Sequence, residues 1–270
     1  MKEIRNSQSI IDQMIRSDCY FSPEPKPCLA EWILRDNWFY FILKYLGIVF
    51  KTRKQALSGA YDYKEWAESS IDILRLLEKV GGQFAITGMN NISAHNGPLV
   101  VVSNHMSTLE TMIFPGIIAP RRKTTFVVKE SLVRHPLFGP VMRSRNPIVV
   151  NRTDARKDFE RVMDQGPGLL SQGISVIIFP QSTRRDVFKP EEFNTLGVKL
   201  AKKAGVPVIP VAIKTDFWGN GKIIKEFGKL DHKKIIHIRF AKPFFIEGNG
   251  KEENQAIIRF IESSLKEWDD

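Results

Sequence analysis

From Gly81 onward the chain alternates short runs of β-branched and apolar residues with helical or turn segments, and this rhythm constrains the fold more than any other feature. Strands are predicted at 83–87, 99–103, 125–128, 148–150, 175–179, 208–213 and 235–240, with helices over 154–172 and 195–204. Gly205 is placed to stop the second of these helices. Strands interleaved with helices imply an α/β fold in which a central, mostly parallel sheet is flanked by helices.

The first 80 residues have a different texture. Ile4, Ile10, Ile11, Met14 and Ile15 recur at helical spacing, and a further helix over 63–80 presents Trp66, Ile73, Leu74 and Leu77 on one face. Between them, Pro23, Pro25 and Pro27 interrupt residues 22–28, which read as a linker because proline cannot continue a helix. The expected division is a helical, membrane-associating extension over 1–80 and an α/β domain over 81–270.

Residues 38–50, WFYFILKYLGIVF, form the longest apolar stretch; it contains Lys44 and is too short for the roughly 20 residues of a bilayer span. Aromatic at its start and followed by Lys51, Arg53 and Lys54, it suits a helix lying in a membrane interface, and it equally suits a buried core helix. Lys and Arg outnumber Asp and Glu by 40 to 30. That excess favours a polyanionic partner: anionic lipid, a phosphorylated acyl carrier, or nucleic acid. No zinc finger, aromatic RNA-binding motif or Walker loop accompanies the charge, so a nucleic-acid partner is not expected. Two cysteines, Cys19 and Cys28, are too few for a disulfide scaffold and imply a reducing compartment. No export signal is visible at the N-terminus, and the expected location is the cytoplasmic face of a membrane.

Chemistry concentrates in four segments. In VVVSNHMSTLET, a strand delivers His105 to its carboxyl end and Glu110 follows five residues later. Sites in α/β sheets collect beyond the carboxyl ends of strands. A carboxylate there can fix one imidazole nitrogen and leave the other free to take a proton. By themselves these residues are equally an exposed loop histidine beside a helix-capping glutamate. Asn104 and Ser107 flank the pair as acceptor-positioning candidates, Ser107 also being a natural helix N-cap. No HExxH and no His/Cys cluster near His105 supplies three metal ligands. The segment PIVVNR delivers Arg152 to a strand end, VIIFPQSTRR carries Gln181, Ser182, Thr183 and Arg184, and GVPVIPVAI is an apolar strand bent by prolines. A guanidinium at Arg184 is suited to bidentate phosphate contact.

Taken together, the four blocks resemble the glycerolipid and lysophospholipid acyltransferase superfamily, over about residues 81–211. NHMSTLE is similar to its NHxSxxD motif, with Glu110 in place of aspartate, a variant also similar to the lipid A acyltransferase branch. FPQSTR is similar to FPEGTR, with Gln181 and Ser182 replacing glutamate and glycine. The resemblance implies an O-acyltransferase with His105 as general base and Glu110 as its partner. Arg152, Gln181, Thr183 and Arg184 would hold an acceptor phosphate. Acyl-CoA or acyl carrier protein would serve as co-substrate, with no cofactor. Backbone amides just after His105 are the expected oxyanion donors. The competing readings are a nucleophilic hydrolase, for which GxSxG is lacking, a lipid A-type or other lipid acyltransferase, and an inactive lipid-binding module.

Overall fold

The computed structural model describes residues 6–24, 38–181, 183–221 and 227–269. Among these, eight strands form one sheet: β1 (Cys19–Phe21), β2 (Phe84–Thr87), β3 (Val100–Ser103), β4 (Thr124–Lys129), β5 (Ile148–Val150), β6 (Ser175–Ile178), β7 (Val208–Lys214) and β8 (Ile236–Phe240). Their spatial order is β1-β2-β8-β7-β3-β6-β4-β5. The block β7-β3-β6-β4-β5 is parallel throughout, β2 is parallel to β8, and β8 runs antiparallel to β7. All seven predicted strands are present, each within one residue at either end.

The helices are α1 (Ser7–Arg16), α2 (Trp38–Leu57), α3 (Tyr63–Lys79), α4 (Leu109–Ile118), the short α5 (Glu130–Arg134) and α6 (Gly139–Arg143), α7 (Ala155–Ser171), α8 (Leu196–Ala204) and α9 (Lys251–Asp269). The sheet is covered on both faces, which is why its parallel strands are apolar at consecutive positions rather than alternately. Val101, Ile177 and Ile209 join an apolar cluster with residues of α1 to α4, while Val100, Val102, Val176 and Val208 join a second cluster with α7, α8 and α9. Gly205 ends α8 in the left-handed region at φ 65°, its N–H donating to the Ala201 and Lys202 carbonyls.

Two elements depart from the sequence-based expectation. The N-terminal segment is not purely helical: β1 pairs antiparallel with β2, and Ile10, Met14 and Tyr20 lie in the same apolar cluster as the sheet. The chain also closes with α9, which buries Ile257, Ile258 and Ile261 against the sheet's second face. The expectations for Ile4, for Ser182, for Cys28 and for the linker from Pro25 on lie outside the described residues. Among the described residues, no helix is long and apolar enough to cross a membrane, and no group of His, Cys, Asp and Glu could hold a metal ion.

Candidate active site

Because β7, β3, β6, β4 and β5 run in one direction, their carboxyl ends lie along one edge of the sheet, where the segments after β3, β5, β6 and β7 converge. The segment after β3 carries His105, which is 7% exposed, and Glu110, which is fully buried near the start of α4. His105 Nδ1 lies 2.8 Å from Glu110 Oε1. The imidazole stacks on Phe179 just beyond β6, with ring centroids 4.4 Å apart and planes 20° apart. A carboxylate at one edge and an aromatic face beneath leave the ring one orientation.

Glu110 is held by more than the histidine. The backbone N–H groups of Met106 and Ser107 donate to Oε1 at 2.7 and 2.9 Å, and the Thr215 hydroxyl donates to Oε2 at 2.7 Å. The loop thus folds around its own carboxylate, as the amides of a helix N-terminus do for an anion. Burial alone would raise the Glu110 pKa, but the His105 contact and the other donors hold it below the usual carboxylate value. Ionised Glu110 accepts the Nδ1 proton, so Nε2 carries the lone pair. Burial pushes the His105 pKa below 6.5; the Glu110 contact opposes this, and the positive charges of Arg184 and Arg152 add to the depression. The ring is therefore neutral near pH 7, and both guanidinium groups act electrostatically on it.

The remaining expected residues divide. Gln181 is 1% exposed; its Oε1 accepts the His105 backbone N–H at 2.8 Å, and its Nε2 is buried without a partner among the described residues. Thr183 and Arg184 are half-buried in the same segment. Arg152 is exposed just beyond β5 at φ 61°, where the Asp158 carboxylate accepts N–H groups of Asn151 and Arg152 at 2.9 and 2.7 Å. Asn104 is fully buried and exchanges two 2.9 Å bonds with the Ile213 backbone, clamping the end of β3 to β7 rather than facing an acceptor. Ser107 accepts the Leu109 N–H and also reaches Glu110 Oε2 and Thr215, so its hydroxyl is engaged within the loop. Of the amides just after His105 that were expected as oxyanion donors, those of Met106 and Ser107 are committed to Glu110. Thr215, Phe179 and Asp158 were not foreseen; each is unremarkable in sequence, and only its position after a parallel strand or opposite the loop gives it a task.

Fold and site define an α/β protein with a buried histidine–carboxylate pair at the carboxyl edge of its sheet. Residues 83–214 match the family model described as Acyltransferase. The chain is 28% identical over 246 residues to a 1-acyl-sn-glycerol-3-phosphate acyltransferase of Pseudomonas aeruginosa, covering 87% of this chain and 91% of that protein. To the protein of the same description from Escherichia coli it is 23% identical over 171 residues, 63% of this chain and 66% of that one. The crystal structure of the 1-acyl-sn-glycerophosphate (LPA) acyltransferase PlsC from Thermotoga maritima shares the fold, with a TM-score of 0.61, 21% identity, and coverage of 87% of this chain and 95% of that chain.

Proposed function

We propose that this acyltransferase moves a fatty acyl group from acyl-CoA or acyl carrier protein to the free hydroxyl of 1-acylglycerol 3-phosphate, with His105 as general base and Glu110 as its orienting carboxylate. The observation that carries the reading is the buried 2.8 Å contact between His105 Nδ1 and Glu110 Oε1, which leaves Nε2 as the basic nitrogen of a neutral ring. Nε2 takes the hydroxyl proton as the acceptor oxygen attacks the thioester carbonyl, and Glu110 stabilises the resulting imidazolium. Collapse of the tetrahedral species breaks the C–S bond, and the imidazolium returns its proton to the leaving thiolate. No covalent acyl-enzyme is required.

Arg152, Thr183, Arg184 and the Gln181 amide are proposed to hold the acceptor phosphate. The positive charge that Arg152 and Arg184 exert on His105 supports placing an anion there. The names of the relatives supply the acceptor class. Residues 1–80 are proposed to bring the enzyme to an anionic membrane surface on its cytoplasmic face, with residues 81–270 carrying the catalytic site. Support comes from α2, which exposes Phe39, Leu43, Phe50 and Leu57.

The test is an acceptor panel containing 1-acylglycerol 3-phosphate, other lysophospholipids and a monoacylglycerol, each with labelled acyl-CoA and acyl carrier protein, read by mass spectrometry of the lipids. The expected product is the diacylglycerol phosphate, lost in His105→Ala. Equal turnover of the monoacylglycerol would remove the phosphate site from the reading, and full activity of His105→Ala would remove the base.

A further inference from the structure

We infer that Thr215, the first residue after β7, is a positioning residue for the reaction: its hydroxyl fixes the rotation of the Glu110 carboxylate so that Oε1 faces His105. The inference rests on the proposed pairing of His105 with Glu110. Glu110 Oε1 receives the Met106 and Ser107 amides and faces His105 Nδ1, all from its own loop. Oε2, equally buried, has two hydroxyl neighbours, Ser107 at 3.0 Å and Thr215 at 2.7 Å.

Counting protons separates the two hydroxyls. A hydroxyl has one proton to give. The Ser107 Oγ has three acceptors within reach: Glu110 Oε2 at 3.0 Å, the Thr215 carbonyl at 3.0 Å and the Thr215 Oγ1 at 3.2 Å. Thr215 Oγ1 donates to Glu110 Oε2, the shorter contact. Thr215 thus commits its proton to the carboxylate, whereas Ser107 divides its own among three neighbours. The acceptor geometry of Thr215 is set from outside the loop. Its carbonyl accepts the Trp218 N–H at 3.3 Å, and the Trp218 ring is wedged edge-on against Phe41 and Tyr45 of α2, with centroids 4.9 and 5.2 Å away. Thr215 itself is fully buried. The carboxylate is therefore gripped on one oxygen by the α4 loop and on the other by the segment after β7.

Removing the Thr215 proton donor has a definite electrostatic consequence. A carboxylate with one fewer donor is a stronger base, binds the imidazolium more tightly and raises the pKa of His105, while its plane becomes free to turn away from Nδ1. Thr215→Val keeps shape and removes the donor; Thr215→Ser keeps the donor and removes a methyl group. Steady-state kinetics with 1-acylglycerol 3-phosphate and an acyl thioester, measured across pH beside thermal unfolding, read the difference. The expected result for Thr215→Val is a kcat lowered by roughly tenfold or more, KM values within about twofold of the parent, and an acid limb displaced to higher pH. Thr215→Ser is expected to restore both kcat and the limb. Parental kcat and an unmoved limb in Thr215→Val would overturn the inference, as would equal loss in the serine and valine variants with the limb in place. If Thr215→Val does not fold, Thr215→Cys, a weaker donor, takes its place under the same criteria. His105→Ala, run in parallel, separates the two levels: activity surviving there defeats the underlying pairing, whereas its loss beside an unaffected Thr215→Val defeats only the role of Thr215.

Discussion

The side-chain oxygen of Gln181 accepts the backbone N–H of His105 at 2.8 Å, tying the segment after β6 to the residue proposed as the base. The neighbouring backbone is pinned from the other side as well, since the His105 carbonyl accepts the Arg185 N–H at 3.0 Å and Arg185 is paired with Glu192. Gln181→Met keeps the volume but leaves a buried N–H unpaired. We expect a loss of about 1–3 kcal/mol in unfolding free energy, measured by denaturant titration. Gln181→Glu keeps an acceptor for that N–H and adds a negative charge beside the imidazole. It should raise the His105 pKa and move the acid limb of kcat upward, with a higher KM for the phosphorylated acceptor. An unchanged pH profile would show that the position does not act on the base.

The pH dependence of the parent enzyme has a predictable sign. The His105 pKa is depressed below 6.5, first by burial, and the proposed role of general base requires the neutral form. The acid limb of kcat should therefore fall below pH 6.5, not above it. Stability follows the same direction. The unfolded chain protonates His105 as pH drops through about 6.5, while the folded protein resists, so this contribution is present above that pH and is lost progressively below it. Glu110, also held below its usual value, adds a second loss at lower pH as it protonates in the folded state. Urea titrations between pH 4 and 8 measure the slope, and an acid limb above 6.5 would contradict the placement of the buried ring.

Asp158 offers a test of the arginine site that leaves the guanidinium groups in place. Its carboxylate holds the N–H groups of Asn151 and Arg152 while Arg152 adopts φ 61°, a backbone conformation that favours glycine. Asp158→Ala releases that turn, so Arg152 is no longer presented at a fixed position. The expected outcome is a several-fold higher KM for the phosphorylated acceptor with kcat nearly unchanged. A fall in kcat alone would show that the turn serves the chemistry rather than the acceptor.

Much of this was legible in the sequence because parallel strands buried on both faces leave a signal along the chain itself. Runs such as Leu99 to Ser103 and Val208 to Ile213 are apolar at consecutive positions, and their ends are marked by polar residues or glycine. His105 and Glu110 were visible as a pair because their contact is local, five residues apart. What stayed hidden is non-local. Thr215 meets Glu110 across 105 positions, and Asn104 meets Ile213 across 109, so no window of sequence contains both partners. The task of the Met106 and Ser107 amides stayed hidden for a related reason: they point inward because a buried carboxylate recruits them, and burial is not written locally. The strand β1 is three residues long, with only Tyr20 buried, too short for a periodic signal.

The helix α2 resolves into two faces, one buried and one exposed. Phe41, Ile42, Tyr45 and Val49 are buried, yet Phe39, Leu43, Phe50 and Leu57 are exposed, Phe39 by 79% and Leu43 by 70%. At the helical repeat these four fall within about 40° of one another around the axis. Exposed Lys44, Lys51 and Lys54 lie to one side of that stripe. An apolar ridge beside lysines matches the boundary between acyl chains and anionic headgroups. Replacing Leu43 and Phe50 by aspartate removes nothing from the core, so unfolding free energy should stay within about 0.5 kcal/mol per site. Each side chain taken from lipid forfeits about 1.5–3 kcal/mol of transfer energy, so the double variant should bind vesicles containing an anionic lipid at least about a hundredfold more weakly in sedimentation. Turnover of acceptor embedded in those vesicles should fall in parallel, while acceptor dispersed in detergent is used at the parental rate. Salt should weaken the parent's binding by screening its lysines without abolishing it, and a double variant that sediments with vesicles as the parent does would refute a membrane role for α2.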